Sequence, residues 1–89
     1  MEISVIYSYD ALRQLKKLPL ALAQRIVRKI TDNSNQINPL SRAKALQGRL
    51  SGKYRYRIGD YRAIFSINDD GRVTILMILD IRHRKDAYK

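Results

Sequence analysis

Arginines grouped around a short turn are the residues of this chain whose type and spacing could do chemistry. Gly59-Asp60 predicts a two-residue turn, with glycine where a type II′ turn needs a positive φ. Alternation along residues 54–58 sends Arg55 and Arg57 to one face of a strand, and the turn places Arg62 directly opposite Arg57. Like charges in that register destabilise a hairpin, so the pattern favours an anion-binding face. For this one pair, a solvated face screened by salt stays an open alternative.

The wider charge distribution supports an anionic partner. The chain has a formal net charge of +10, and the segment 42–62 contains Asp60 as its only acid. Its basic residues are Arg42, Lys44, Arg49, Lys53, Arg55, Arg57 and Arg62. This balance favours nucleic acid, an acidic protein, or both. A membrane is not an expected partner, because the sequence contains no long apolar run.

Size and composition exclude several classes of protein. With 89 residues, the chain is expected to form one domain spanning residues 1–89. Cysteine is absent, which excludes disulfides, thiolate metal sites and a cysteine nucleophile. His83 is the single histidine and has no clustered ligands, so we expect no metal and no cofactor. The amino terminus lacks the pattern of a secretory signal, and we therefore expect a cytoplasmic protein.

Hydrophobic periodicity predicts two helices and four strands. The strands are expected near residues 3–7, 54–58, 61–67 and 73–81, and the helices after Ser8 and after Pro19. Residues 41–50 are ambiguous and could form a short helical turn. The predicted fold is α+β with the order β-α-α-β-β-β, a helix hairpin covering one face of a mainly antiparallel four-stranded sheet. The opposite face is expected to be basic, and the first strand to lie beside the last.

The turn after the third strand decides where Arg82 points. A three-residue loop at 69–71, with Gly71 in the left-handed region as a bulge, pairs Arg62 with Ile78 and places Arg82 on the arginine face. A two-residue loop shifts the pairing register by one residue, which exchanges the two faces of the last strand and sends Arg82 to the helix side. We favour the three-residue loop, because it avoids burying Arg82 beneath the helices.

Several segments together resemble the RelE branch of the RelE/ParE toxin superfamily. They are Arg-Leu-Ser-Gly at 49–52, Tyr-Arg-Tyr-Arg-Ile-Gly-Asp-Tyr-Arg at 54–62, and Ile-Arg-His-Arg at 81–84 followed by Tyr88. The resemblance covers nearly the whole chain. It implies a toxin of a toxin–antitoxin pair that cuts messenger RNA in the ribosomal A site, by metal-independent attack of a 2′-hydroxyl on the adjacent phosphate. The implied partners are an acidic antitoxin in a hetero-oligomer, the ribosome and mRNA.

The same resemblance assigns roles to individual residues. Arg55 and Arg57 match basic active-site positions, Arg62 a phosphate-stabilising arginine, Arg82 a C-terminal catalytic arginine and Tyr88 a base-stacking tyrosine. Further contacts with RNA or the ribosome are expected from Arg42, Lys44, Arg49, Lys53, Arg84 and Lys85.

Proton transfer is the step for which the sequence offers no clear residue. Similar toxins supply lysine at the paired basic positions, whereas an arginine is a poor general base. His83 has a suitable unperturbed pKa and is the candidate for proton transfer. Strand alternation nevertheless puts His83 on the other face of the strand from Arg82, so a structural role for His83 stays open.

Two other functions stay open at this point. A ParE-like toxin would share the fold but inhibit DNA gyrase without nuclease chemistry. A non-catalytic RNA-binding module would bind RNA on the basic face without cleaving it. The paired arginines together with Tyr88 favour the endonuclease.

Overall fold

The computed structural model describes residues 2–85, which form two helices packed against one sheet. The strands are β1 (Glu2–Tyr7), β2 (Ala43–Ala45), β3 (Tyr54–Ile58), β4 (Tyr61–Asp69) and β5 (Val73–His83), and the helices are α1 (Tyr9–Lys16) and α2 (Leu20–Ser34). The sheet order is β1-β5-β4-β3-β2, with β1 parallel to β5 and every other pair antiparallel. The predicted α+β architecture and the place of β1 are confirmed.

The sheet has five strands instead of the predicted four. The extra strand, β2, pairs with Tyr54–Tyr56 at the edge, within the segment that the sequence left ambiguous. Its three residues, Ala-Lys-Ala, carry no strand pattern of their own, so only pairing with β3 defines it. A 3₁₀ turn, Gly48–Leu50, follows, in the segment where the sequence left a short helical turn open.

Helix α1 begins at Tyr9, is capped by Ser8 and packs against β5. The Ser8 hydroxyl accepts a hydrogen bond from the Ala11 amide at 3.1 Å and donates to the Leu79 carbonyl at 2.9 Å. Because β1 ends at Tyr7, the last part of β5 has a free edge. The Gln14 side chain accepts from the Ile81 amide there at 2.7 Å. This contact ties α1 to the strand that carries Arg82.

One face of the sheet packs against the helices and forms the core. Tyr56 and Phe65 are fully buried at its centre, with ring centroids 4.4 Å apart. The core also contains Ala11, Leu15, Ile26, Ile30, Ile58, Ala63, Leu76, Ile78 and Ile81. Tyr56 alternates with Arg55 and Arg57 along β3 and therefore lies on the core side of the sheet. No helix in the described part of the chain is long and apolar enough to cross a membrane.

Burial of two tyrosines predicts a loss of stability at alkaline pH. Desolvation raises the pKa of Tyr7 and of Tyr56 from 10.0 to about 12. The unfolded chain therefore releases these protons first, so their contribution is intact below pH 10 and is lost as pH rises towards 12. The urea midpoint of unfolding should fall as the pH rises across this range. The fall should be less steep in the double variant Tyr7→Phe/Tyr56→Phe than in the wild type. The exposed Tyr9→Phe is the control, and an equal slope in the double variant would contradict the assignment.

Candidate functional site

The hairpin of β3 and β4 has the predicted register. Ile58 pairs with Tyr61 and Arg57 with Arg62, and Gly59 has a φ of 58°. A positive φ is the conformation for which a type II′ turn selects glycine.

A β-bulge at Leu79 sets the face on which Arg82 lies. Phe65 pairs with Ile78, but Ile64 pairs with Asp80, so Leu79 is an extra residue in β5. Beyond the bulge Arg62 pairs with Arg82. The predicted pairing of Arg62 with Ile78 is therefore wrong, although Arg82 does lie on the predicted face.

The predicted three-residue loop between β4 and β5 is also wrong. Asp69 pairs with Thr74, and the Asp70 amide donates to the Val73 carbonyl at 3.4 Å, leaving the two-residue loop Gly71-Arg72. This loop alone would send Arg82 towards the helices. The extra residue in the bulge shifts β5 by one position, so that Arg82 lies on the open face; bulges re-aim side chains in this way.

The open face of the sheet contains a basic groove between α1 and the 3₁₀ turn. It consists of two adjoining hollows of about 670 and 220 Å³ that share Gln47, Leu50 and Ile64. Its cationic lining is Arg13, Lys44, Arg49, Lys53, Arg55, Arg62 and Arg82. A concave surface with such a lining concentrates positive potential and attracts an extended anion.

Arg62 is a buried cation at the bottom of this groove. Its side chain lines the smaller hollow, and the residue is only 5% exposed. One terminal nitrogen, Nη1, donates to the carbonyls of Gly59 at 3.2 Å and Tyr61 at 3.0 Å. Its Nε is buried and has no hydrogen-bond partner within residues 2–85. Because this nitrogen is itself inaccessible to a ligand, Arg62 acts on an anion in the groove through its positive charge.

Arg82 lies beside Arg62 and is held by a carboxylate. Its Nε donates to Asp80, two residues earlier on the same face of β5. The Arg82 side chain is 46% exposed and that of Asp80 18%. The outer nitrogens of Arg82 can therefore reach a ligand in the groove. Two guanidiniums on paired residues can share one phosphate and stabilise the charge that it gains during reaction.

Other predicted site residues lie outside the groove. Arg57 lines a separate hollow of about 330 Å³ with Arg25, Arg28 and Lys29 on α2. Arg42 donates to the side chain of Asn33 at 3.4 Å, beside α2. Arg57 is the cross-strand neighbour of Arg62, but neither Arg57 nor Arg42 lines the groove.

The predicted residues at the end of β5 and just after it, His83, Arg84 and Lys85, do not line the groove. The His83 ring lies edge-on to Tyr61 at 5.2 Å, and the two residues are paired on the helix-facing side. Arg84 is 3.7 Å from the carboxylate of Asp60, and the Lys85 amide donates to His83 Nδ1 at 3.2 Å. Tyr88 lies outside the described residues.

Sequence reasoning missed three charged groove residues, Asp10, Arg13 and Asp80. Asp80 could have been found, because residues i and i+2 of a strand share a face and Arg82 was already placed. Arg13 gives no such signal, since only the packing of α1 on the edge of β5 brings it to the groove. Within residues 2–85, no group of three or more His, Cys, Asp or Glu side chains could hold a metal ion.

Comparisons with known proteins match the chain to toxins. The family model "ParE toxin of type II toxin-antitoxin system" matches residues 5–88. Toxin RelG of Mycobacterium tuberculosis is 32% identical over 89 residues, which are 100% of this chain and 99% of that protein.

Solved structures agree with this match. A chain of the M. tuberculosis RelBE2 toxin–antitoxin complex superimposes with a TM-score of 0.77 at 29% identity, covering 94% of this chain and 100% of its own. A chain of the archaeal RelE–RelB complex from Pyrococcus horikoshii gives 0.70 at 27% identity, covering 97% and 99%. The chain therefore belongs to the ParE toxin family of type II toxin–antitoxin systems, within the RelE/ParE superfamily.

Proposed function

We propose that this toxin is a ribosome-dependent endonuclease that cuts messenger RNA in the A site. The observation that carries the proposal is the pairing of Arg62 with Arg82 in a basic groove on the open face of the sheet. RNA carries its own nucleophile, the 2′-hydroxyl, so an enzyme can cleave it by orienting the chain and stabilising the phosphorane.

The groove residues divide into two tasks under this proposal. Arg62 and Arg82 stabilise the scissile phosphate, Arg82 through its exposed nitrogens and Arg62 through its buried positive charge. The flanking cations Lys44, Arg49, Lys53 and Arg55 line the groove on both sides of that point and bind the neighbouring phosphates. Tyr88 is proposed to stack on a base, a contact worth about 1–3 kcal/mol in other systems.

Residues outside the groove are proposed to contact the ribosome. Arg42, Arg57, Arg84 and Lys85 lie around the groove on other surfaces of the domain. Ribosomal RNA presents phosphates on many sides of a bound protein, and long-range attraction from such residues speeds association.

We further propose an acidic antitoxin as the regulatory partner. The M. tuberculosis and P. horikoshii structures are toxin–antitoxin complexes. A net charge of +10 favours a partner of opposite charge. An acidic segment that covers the basic groove would block RNA in a toxin–antitoxin hetero-oligomer.

Gyrase inhibition is the second candidate function, because the matching family model is that of ParE toxins. The two functions are separated by adding the purified toxin to two assays, programmed ribosomes with labelled mRNA and gyrase with relaxed plasmid. The proposal predicts cleaved mRNA only when ribosomes are present, and unchanged supercoiling. Intact mRNA together with inhibited supercoiling would reject it in favour of the ParE-like function.

A further inference from the structure

Asp80 is a carboxylate inside a groove whose charged lining is mostly cationic. The bulge at Leu79 turns Asp80 and Arg82 together onto the open face, while Ile81 between them is 4% exposed and belongs to the core. Fixing a negative charge at the position that receives an anionic substrate opposes binding. A carboxylate kept there therefore suggests a role in the reaction.

The proposed cleavage needs a proton acceptor, and the groove offers few. Guanidiniums remain protonated at any physiological pH and cannot accept a proton. The groove lysines, Lys44 and Lys53, are assigned above to the neighbouring phosphates. His83 lies on the helix-facing side against Tyr61. Asp10 stands at the rim, with a 65% exposed side chain bonded to Arg13. Among the described residues of the groove, Asp80 is the carboxylate in contact with a phosphate-binding arginine.

Resting on the proposed function, we propose that Asp80 is the general base that takes the proton of the 2′-hydroxyl. The 2′-oxygen then bonds to phosphorus, the bond from phosphorus to the 5′-oxygen breaks, and the 5′-oxygen receives a proton from water. The products are a 2′,3′-cyclic phosphate and a 5′-hydroxyl, so protons and electrons balance. Asp80 returns its proton to solvent before the next turnover.

The contact between Asp80 and Arg82 supplies the geometry for this step. The attacking 2′-oxygen belongs to the nucleotide whose 3′-phosphate is cleaved, and it must approach phosphorus to about 3–3.5 Å. A carboxylate touching the guanidinium that holds this phosphate is within reach of that hydroxyl. Binding of the phosphate also draws Arg82 away from Asp80, which frees the carboxylate oxygen to accept a proton.

The substitution Asp80→Asn tests whether the side chain acts as a base or only through its size and its contact with Arg82. The amide has the same size and keeps an oxygen that can accept from Arg82 Nε, but it cannot serve as a base. Single-turnover cleavage on programmed ribosomes should fall by about 10²–10⁴-fold, as low as in Asp80→Ala. Sedimentation with ribosomes should show affinity within about threefold of the wild type. Asp80→Glu keeps a carboxylate and should recover part of the rate.

Asp32→Asn is the matched control, because it removes one exposed carboxylate on α2 and changes the net charge equally. Its cleavage rate should equal that of the wild type. If the wild type cleaves mRNA and the Asp80→Asn variant cleaves it at the same rate, the role of Asp80 is overturned and the proposed function stands. A wild-type protein that leaves ribosome-bound mRNA intact would overturn both.

Discussion

Replacing Arg82 by alanine should lower the rate of mRNA cleavage by about 10²–10³-fold, the usual effect of removing one donor that stabilises a transition state. The domain should stay folded, since the Arg82 side chain is 46% exposed and its ion-pair partner, Asp80, remains partly accessible to water. Arg82→Lys should fall between the wild type and alanine, because an ammonium keeps the charge but not the planar fork.

The measurement is single-turnover cleavage on programmed ribosomes, with urea denaturation to check the fold. Arg72→Ala is the matched control, since it removes an exposed arginine at the turn between β4 and β5. A wild-type rate in Arg82→Ala would contradict the place of Arg82 in the site. Arg62→Ala is a less clean test, because it also leaves the Gly59 and Tyr61 carbonyls without their donor.

Phe65→Ala should have the largest effect on stability, a loss of about 3–5 kcal/mol. Phe65 is fully buried between the rings of Tyr54 and Tyr56, with centroid distances of 5.8 and 4.4 Å. Alanine would leave a cavity at the centre of the core. Small domains have a total free energy of unfolding of about 5–15 kcal/mol, so this loss removes a substantial part of the stability.

Urea denaturation of the purified toxin, followed by circular dichroism, measures this loss. Phe65→Leu is the matched control and should cost less, because it fills most of the space. A loss below about 1 kcal/mol in Phe65→Ala would show that the site collapses around the smaller side chain, contrary to the packing described above.

The site is partly predictable from sequence because some of its geometry is local. The turn Gly59-Asp60 sets the register of β3 and β4, and this register alone places Arg57 opposite Arg62. Periodicity along 54–58 likewise assigns Tyr56 to the core. These features depend on neighbours within a few residues, which the sequence displays directly.

Other features depend on contacts between distant segments. Residues 73–81 are nearly all apolar, so alternation does not show which of them face the helices, and the bulge at Leu79 cannot be located. The structure decides it by burying Ile78 and Ile81 in the core, three positions apart. Arg57 shares the predicted strand face with Arg55, yet its long side chain lines the hollow beside α2.

Analysis of the cleavage products on ribosomes tests the central claim most directly. Purified toxin, programmed ribosomes and end-labelled mRNA should give fragments that end in a 2′,3′-cyclic phosphate and begin with a 5′-hydroxyl. A single 2′-deoxynucleotide on the 5′ side of the cleaved bond should abolish cleavage, because the nucleophile is then missing. Fragments ending in a 3′-hydroxyl, or unimpaired cutting of the deoxy-substituted message, would contradict the account.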